Sequence, residues 1–194
     1  ILCRVADRPR PRSLLTTPSA ILGHTNVEPA LHAVAKRSQW TPEDPDYQQR
    51  VRASFERQGA MRTLGATLEC VEPGYCSISL VPRPEVAQQH GYVHAGVLAA
   101  IVDSAGGYAG YSLFPRDASV LTVEYKLNLL APATGERVLA EGLVIKSGRT
   151  LTVTRGEVYA ERDGERTLIA VMQQTLMVMH GMDDYAVRRK TQER

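Results

Sequence analysis

An α+β fold, in which a curved antiparallel sheet holds one long central helix, follows from three features of the 194-residue sequence. Residues 94–110, HAGVLAAIVDSAGGYAG, are small and apolar all round, the pattern of a helix covered on every side. After Pro115 the chain turns to stretches that alternate apolar and polar residues, the period of strands. Ser147-Gly148 and Asp163-Gly164 stand between those stretches as turns, so the last four strands are expected in hairpins.

Residues 1–40 mix Arg, Pro, Ser and Thr with little periodicity and are expected to form a disordered or non-core extension, or to lie upstream of the true start. An Arg- and Ser-rich start is also the style of a mitochondrial targeting segment, but Asp7, Pro9, Pro11 and Pro18 weigh against it. TPEDPDYQQRVRASFERQG reads as a short helix: Thr41 or Asp44 caps it, Pro42 or Pro45 opens it and Gly59 follows its end. Tyr47, Val51 and Phe55 form its apolar stripe.

Two strands come next, the second being YCSISLV, entered by a turn at Glu72-Pro73-Gly74. The polar loop RPEVAQQHGYV leads into the central helix. Within that helix Gly106, Gly107 and Gly110 each cost up to about 1 kcal/mol relative to Ala. They make sense where the sheet, or a second helix, approaches closely. In VLTVEYKLNLL the residues Leu121, Val123, Tyr125, Leu127 and Leu129 share one face, and Thr122, Glu124, Lys126 and Asn128 the other. RVLAEGLVIK, LTVTRGEVYAE and TLIAVMQQTLMVM complete the set. The domain is expected over 41–181, followed by a polar tail over 182–194.

The formal charge of +2 is unevenly spread: residues 1–37 hold six Lys/Arg against two acids, and the remainder holds 17 against 19. A slightly acidic body without a basic stripe gives no electrostatic basis for binding nucleic acid. Three cysteines without a CxxC pair point to ordinary thiols in a reducing, cytoplasmic setting. Asp103 interrupts the best apolar run, so nothing approaches the ~18 residues of a membrane span. His90 and His94 stand four apart, but Gly91 and the loop composition speak against a helix there, and neither Cys nor acid completes a metal set.

Asp103 is the residue that needs a reason. An ionised carboxylate in an apolar helix is costly unless it is paired or hydrogen-bonded. Some ten residues earlier, QQHGYVHAG brings a polar, Gly-containing loop to the helix start, where backbone amides lack helical partners and carry positive partial charge. Free amides can hold a developing oxyanion, and a carboxylate can attack a carbonyl or activate water. Ala95 and Asp103 are nevertheless eight residues apart, about 12 Å along a helix. One carbonyl therefore meets both only if the amide of one chain faces the acid of another across a two-fold dimer.

QQHGYVHAGVLAAIVDSAGG, followed by LTVEYKLNLLAPATG and KSGRTL, resembles the PaaI-type hotdog-fold acyl-CoA thioesterases over roughly residues 45–181. The resemblance implies a hotdog fold, a dimer or dimer of dimers, and hydrolysis of an acyl-CoA thioester with no cofactor beyond the coenzyme A of the substrate. It makes Asp103 the nucleophile or general base and Ala95 the backbone donor to the thioester oxygen. Gln88 matches the Asn/Gln that positions thioester or water, Thr122 the Ser/Thr beside the acid, and His94 the residue that orients the loop or hydrogen-bonds near the carbonyl. Gly96, Tyr108, Lys146 and Arg149 become candidates for contact with the acyl group or coenzyme A. Where the family usually has Gly this chain has Ala95, which keeps the amide but adds a methyl group. The same fold also serves acyl-thioester hydratases, which pair an acid with a His, and non-enzymatic acyl-CoA sensors. No helix-turn-helix pattern precedes residue 45 to favour a DNA-linked sensor.

Overall fold

The computed structural model describes residues 39–182; the expectations for the N-terminal extension and the C-terminal tail fall largely outside them. Two short helices, α1 (Tyr47–Arg57) and α2 (Gly59–Leu64), lead to strands β1 (Thr67–Glu72) and β2 (Tyr75–Leu80). A single 3-10 turn, Pro84–Val86, precedes the long helix α3 (Ala95–Tyr111). Strands β3 (Ala118–Leu129), β4 (Arg137–Lys146), β5 (Leu151–Arg162) and β6 (Glu165–His180) follow. All six strands form one antiparallel sheet in the order β1-β2-β4-β5-β6-β3, with α3 packed on one face of it, as the hotdog expectation requires.

The hairpin expectation for the last four strands holds for β4–β5 and β5–β6, but β3 does not pair with β4; β1 and β2 also pair with each other. On leaving α3 the chain crosses to the far edge, where Ala118 opposes His180. The face assigned to β3 also needs correction. Its register slips by one residue between Thr122 and Glu124, so Val123 is extra, and a one-residue bulge reverses which side chains point inward. Thr122 opposes Leu176 and Tyr125 opposes Gln174, two inward residues of β6, so Thr122 shares its face with Tyr125 and Leu127 rather than with Lys126.

The first helix starts at Tyr47, later than either proline suggested, and Asp44 does more than cap it. Its carboxylate accepts the Asp46 N–H (3.1 Å) and pairs with Arg50 (3.3 Å). Arg50 in turn donates to the carbonyls of Tyr111, Phe114 and Pro115 and lies over the Tyr111 ring. A guanidinium thus sits on the last carbonyl of α3 and on two carbonyls of the turn that follows it, where the helix's C-terminal end favours a cation. The sequence reading ends this helix at Gly59, whereas extended backbone at Gln58 breaks it one residue earlier and Gly59 opens α2. That break places Gln58 beside α3, where its amide donates to the Tyr108 hydroxyl (2.8 Å).

The core lies between α3 and the sheet, centred on Ile101, Val102 and Ala105 from the helix and Ile78, Ala140, Val158 and Met172 from the strands. The approach is close at the helical glycines, as expected for two of the three. A Cβ on Gly106 would overlap Gln174 Oε1, and one on Gly110 would overlap Leu176 Cδ1. Gly107 is the exception, since no described atom lies within 4 Å of its Cβ direction. The sheet answers with glycines of its own: Gly142 and Gly156 face each other across β4 and β5, both directly under α3.

Candidate active site

The helix start is assembled by the preceding loop. A bridge between Ala87 and Val93 closes the loop, and the Gln88 side chain accepts the His90 N–H inside it. His94 has extended backbone (φ −62°, ψ 138°) and is the N-cap of α3: its Nδ1 accepts the Gly96 N–H at 2.9 Å. That bond fixes the tautomer, leaving the proton of a neutral ring on Nε2. It also settles which amide is open. Gly96 N–H is taken by His94, while Ala95 N–H, at the first helical position, has no partner among the described residues.

Asp103 sits two turns further along, half-buried between α3 and β3. Its Oδ1 accepts from the Thr122 hydroxyl at 2.9 Å and from the Gln174 amide. Oδ2 receives no hydrogen bond from any described residue. Burial pushes the carboxyl above the usual range, and the hydrogen bonds from Thr122 and Gln174 pull it partway back.

Asp103 and Thr122 line a cavity of about 310 Å³ together with Gly107, Tyr108 and Val120, closed on the α1 side by Ser54, Arg57 and Gln58. Tyr108 is buried there and its hydroxyl bonds to both Gln58 and Ser54. The unfilled space at Gly107 belongs to this cavity. Gly107→Ala is expected to stabilise the fold by about 0.5–1 kcal/mol, since the helix interior favours Ala and nothing obstructs the methyl. Chemical denaturation measures the gain. The same methyl should narrow the cavity beside Asp103.

The candidates do not all converge within one chain. Asp103, Thr122 and Tyr108 share the cavity, while Ala95, Gly96, His94 and Gln88 gather at the N-terminal end of α3. Lys146 is exposed, and Arg149 lines a different cavity of about 440 Å³ with Phe114 and His180, beyond the opposite end of that helix. Over its 17 residues α3 runs about 25 Å, so one chain cannot bring these groups to one substrate carbonyl. Sequence reasoning missed Gln174, Gln58, Ser54 and Ser104. Gln174 left a faint signal, a polar Gln173-Gln174 pair breaking an otherwise apolar strand.

Residues 90–167 match the model of the Thioesterase superfamily. A solved thioesterase family protein from Silicibacter pomeroyi is 48% identical, with a TM-score of 0.68, over 70% of this chain and 99% of that one. A provisionally named esterase of Saccharolobus solfataricus is 31% identical over 107 residues, 55% of this chain and 69% of that protein. The PaaI protein of the E. coli phenylacetic acid degradation operon shares the fold (TM-score 0.64, covering 71% of this chain and 96% of that one) at 17% identity.

Proposed function

This chain belongs to the thioesterase superfamily and is a thioester hydrolase, and we propose that it hydrolyses acyl-CoA thioesters at sites shared between two subunits. The observation that carries the reading is Asp103: a half-buried carboxylate, tied down through Oδ1 alone, on the wall of a cavity wide enough for an acyl group. Asp103 either deprotonates a water that attacks the thioester carbon, or attacks that carbon itself. Direct attack gives a mixed anhydride, which a water then hydrolyses to release the carboxylic acid and restore Asp103. The carbonyl oxygen, taking negative charge, accepts the Ala95 N–H of the partner subunit. As the tetrahedral intermediate collapses the C–S bond breaks, its electron pair leaves with sulfur, and coenzyme A departs as a thiolate. Gln88 orients the thioester or water, His94 holds the loop, and Lys146 and Arg149 meet coenzyme A.

An assembly is supported by β3. It is an edge strand with unpaired backbone groups, and Tyr125 (48% exposed) and Leu129 (54%) stand open on it beside Leu121, Val123 and Leu130. Long apolar edges of this kind call for a covering partner. A hydratase on the same fold would use a His as base. His94 already commits Nδ1 to its cap and lies nine residues, about 13.5 Å along the helix axis, from its own Asp103.

Ala95→Pro tests the oxyanion role without disturbing the helix. Proline is well tolerated at the first helical position and removes only an N–H that has no partner; the extended His94 before it suits a pre-proline residue. Thiol release from a panel of acyl-CoAs is expected to fall by about 10²-fold or more. Unchanged release would remove Ala95 from the mechanism, and no release by the wild type from any acyl-CoA would remove the substrate class.

A further inference from the structure

We propose that Gln174 is a positioning residue for this hydrolysis: held by Thr154, it locks Asp103 Oδ1 in place and leaves Oδ2 as the oxygen that acts. The inference rests on the hydrolytic reading of Asp103 and adds residues that lie on other strands and never meet substrate.

Gln174 is 1% exposed, and a buried amide must find partners on both sides. Its Nε2 donates to Asp103 Oδ1, to the Asp103 backbone carbonyl (3.1 Å) and towards Thr122 Oγ1 (3.1 Å). Its Oε1 accepts from Thr154 Oγ1 (2.8 Å), itself fully buried. Two of the three atoms facing the NH₂ group, a carboxylate oxygen and a carbonyl oxygen, only accept, so the orientation of the amide is determined. Thr154 completes the lock by giving the far side of the amide a donor.

The backbone is shaped around this relay. Thr154 and Gln174 oppose each other in the β5–β6 register, and Gly106 leaves space that a Cβ would take from both the Gln174 carbonyl oxygen and the Thr154 hydroxyl. Thr122, paired with the inward Leu176 just before the bulge, reaches the same oxygen from β3. A residue needed only to fill the core would have been apolar, like Met172 and Leu176 on either side along the inward row.

With Oδ1 receiving two donors, carboxylate rotation would sacrifice both bonds, so Oδ2 is the oxygen free to take a proton or bond to carbon. The titratable groups that share the cavity with Asp103 are Arg57 from α1 and Tyr108 from α3. The β-strand residues closing around it, Val120, Thr122, Thr154 and Gln174, carry no charge.

Gln174→Met and Thr154→Val, made in the full chain beside wild type and Asp103→Asn, test the relay. Two readouts apply: kcat and KM on an acyl-CoA that wild type cleaves, and a ¹³C titration of the Asp103 carboxyl without substrate, assigned by its loss in Asp103→Asn. Gln174→Met is expected to lower kcat about tenfold or more, with KM within about threefold. Losing a donor to the charged form should also raise the carboxyl midpoint by about one pH unit. Thr154→Val should move both the same way by less, and it carries the test if Gln174→Met does not fold.

Folded variants with wild-type kcat and an unmoved midpoint would overturn the proposal, while loss of turnover in Asp103→Asn left the hydrolytic reading standing. A raised midpoint in a protein that releases no thiol would have the opposite meaning: the relay holds and the hydrolytic reading falls.

Discussion

Asp103→Asn is expected to lose about 10²-fold or more of thioester turnover while folding and assembling as wild type does. The amide keeps an oxygen where Oδ1 stands, so the bonds from Thr122 and Gln174 survive and only the basic or nucleophilic oxygen is lost. In the wild type, activity should fall as acid protonates this carboxyl, with a midpoint above the ordinary 3.8 because burial penalises the charged form. The stability dependence has the opposite sense. A carboxyl raised in the folded state favours folding most when protonated, fully below 3.8, and this contribution is lost as pH rises through the folded midpoint. The Asn variant lacks that dependence and should melt no lower than wild type at neutral pH, as when an active-site charge is removed. Thermal melts across pH, run beside thiol-release assays, read both effects.

Gly142→Ala is expected to be the most damaging small substitution in the sheet. A methyl there would overlap the backbone carbon and oxygen of Ala105 and the Gly106 nitrogen, atoms that cannot rotate aside. Only displacement of α3 from β4 would relieve the clash. Overpacking of this kind costs about 3 kcal/mol or more when the obstacle is backbone. Displacing α3 would also draw Asp103 away from Thr122 and Gln174, so activity should fall with stability. Denaturant unfolding measures the first effect. By contrast, Gly107→Ala, one residue along the same helix from Gly106, meets open space, so the pair separates close packing from helix propensity.

Much of this architecture is legible in the sequence because its signals are local. An apolar run with one acid announces α3 and Asp103, and runs rich in β-branched and apolar residues announce β5 and β6, whose inward rows the structure buries. The turn at Asp163-Gly164 is read from its residues and carries the positive φ values that such a turn demands. What escapes is whatever depends on pairing. A single extra residue at Val123 reverses the outer half of β3, and no composition rule marks it. The partnership of β3 with β6 brings Thr122 and Gln174 together across 52 positions of chain, and the β5–β6 register adds Thr154. Arg50 looks like an exposed helix residue until its guanidinium is found on the carbonyls at the end of α3. The proposed trans arrangement is accessible to sequence reasoning for another reason: helix rise alone keeps Ala95 and Asp103 of one chain apart.

That arrangement is most directly tested by mixing subunits. Asp103→Asn chains and Ala95→Pro chains, each nearly inactive alone, are combined under differently tagged selection so that only hybrids are assayed. If the acid of one subunit works with the amide of its neighbour, one of the two sites in each hybrid dimer has both groups intact, and about half of wild-type thiol release returns. Hybrids as inactive as their parents would place both groups in the same chain's site, or outside the chemistry, and contradict the account.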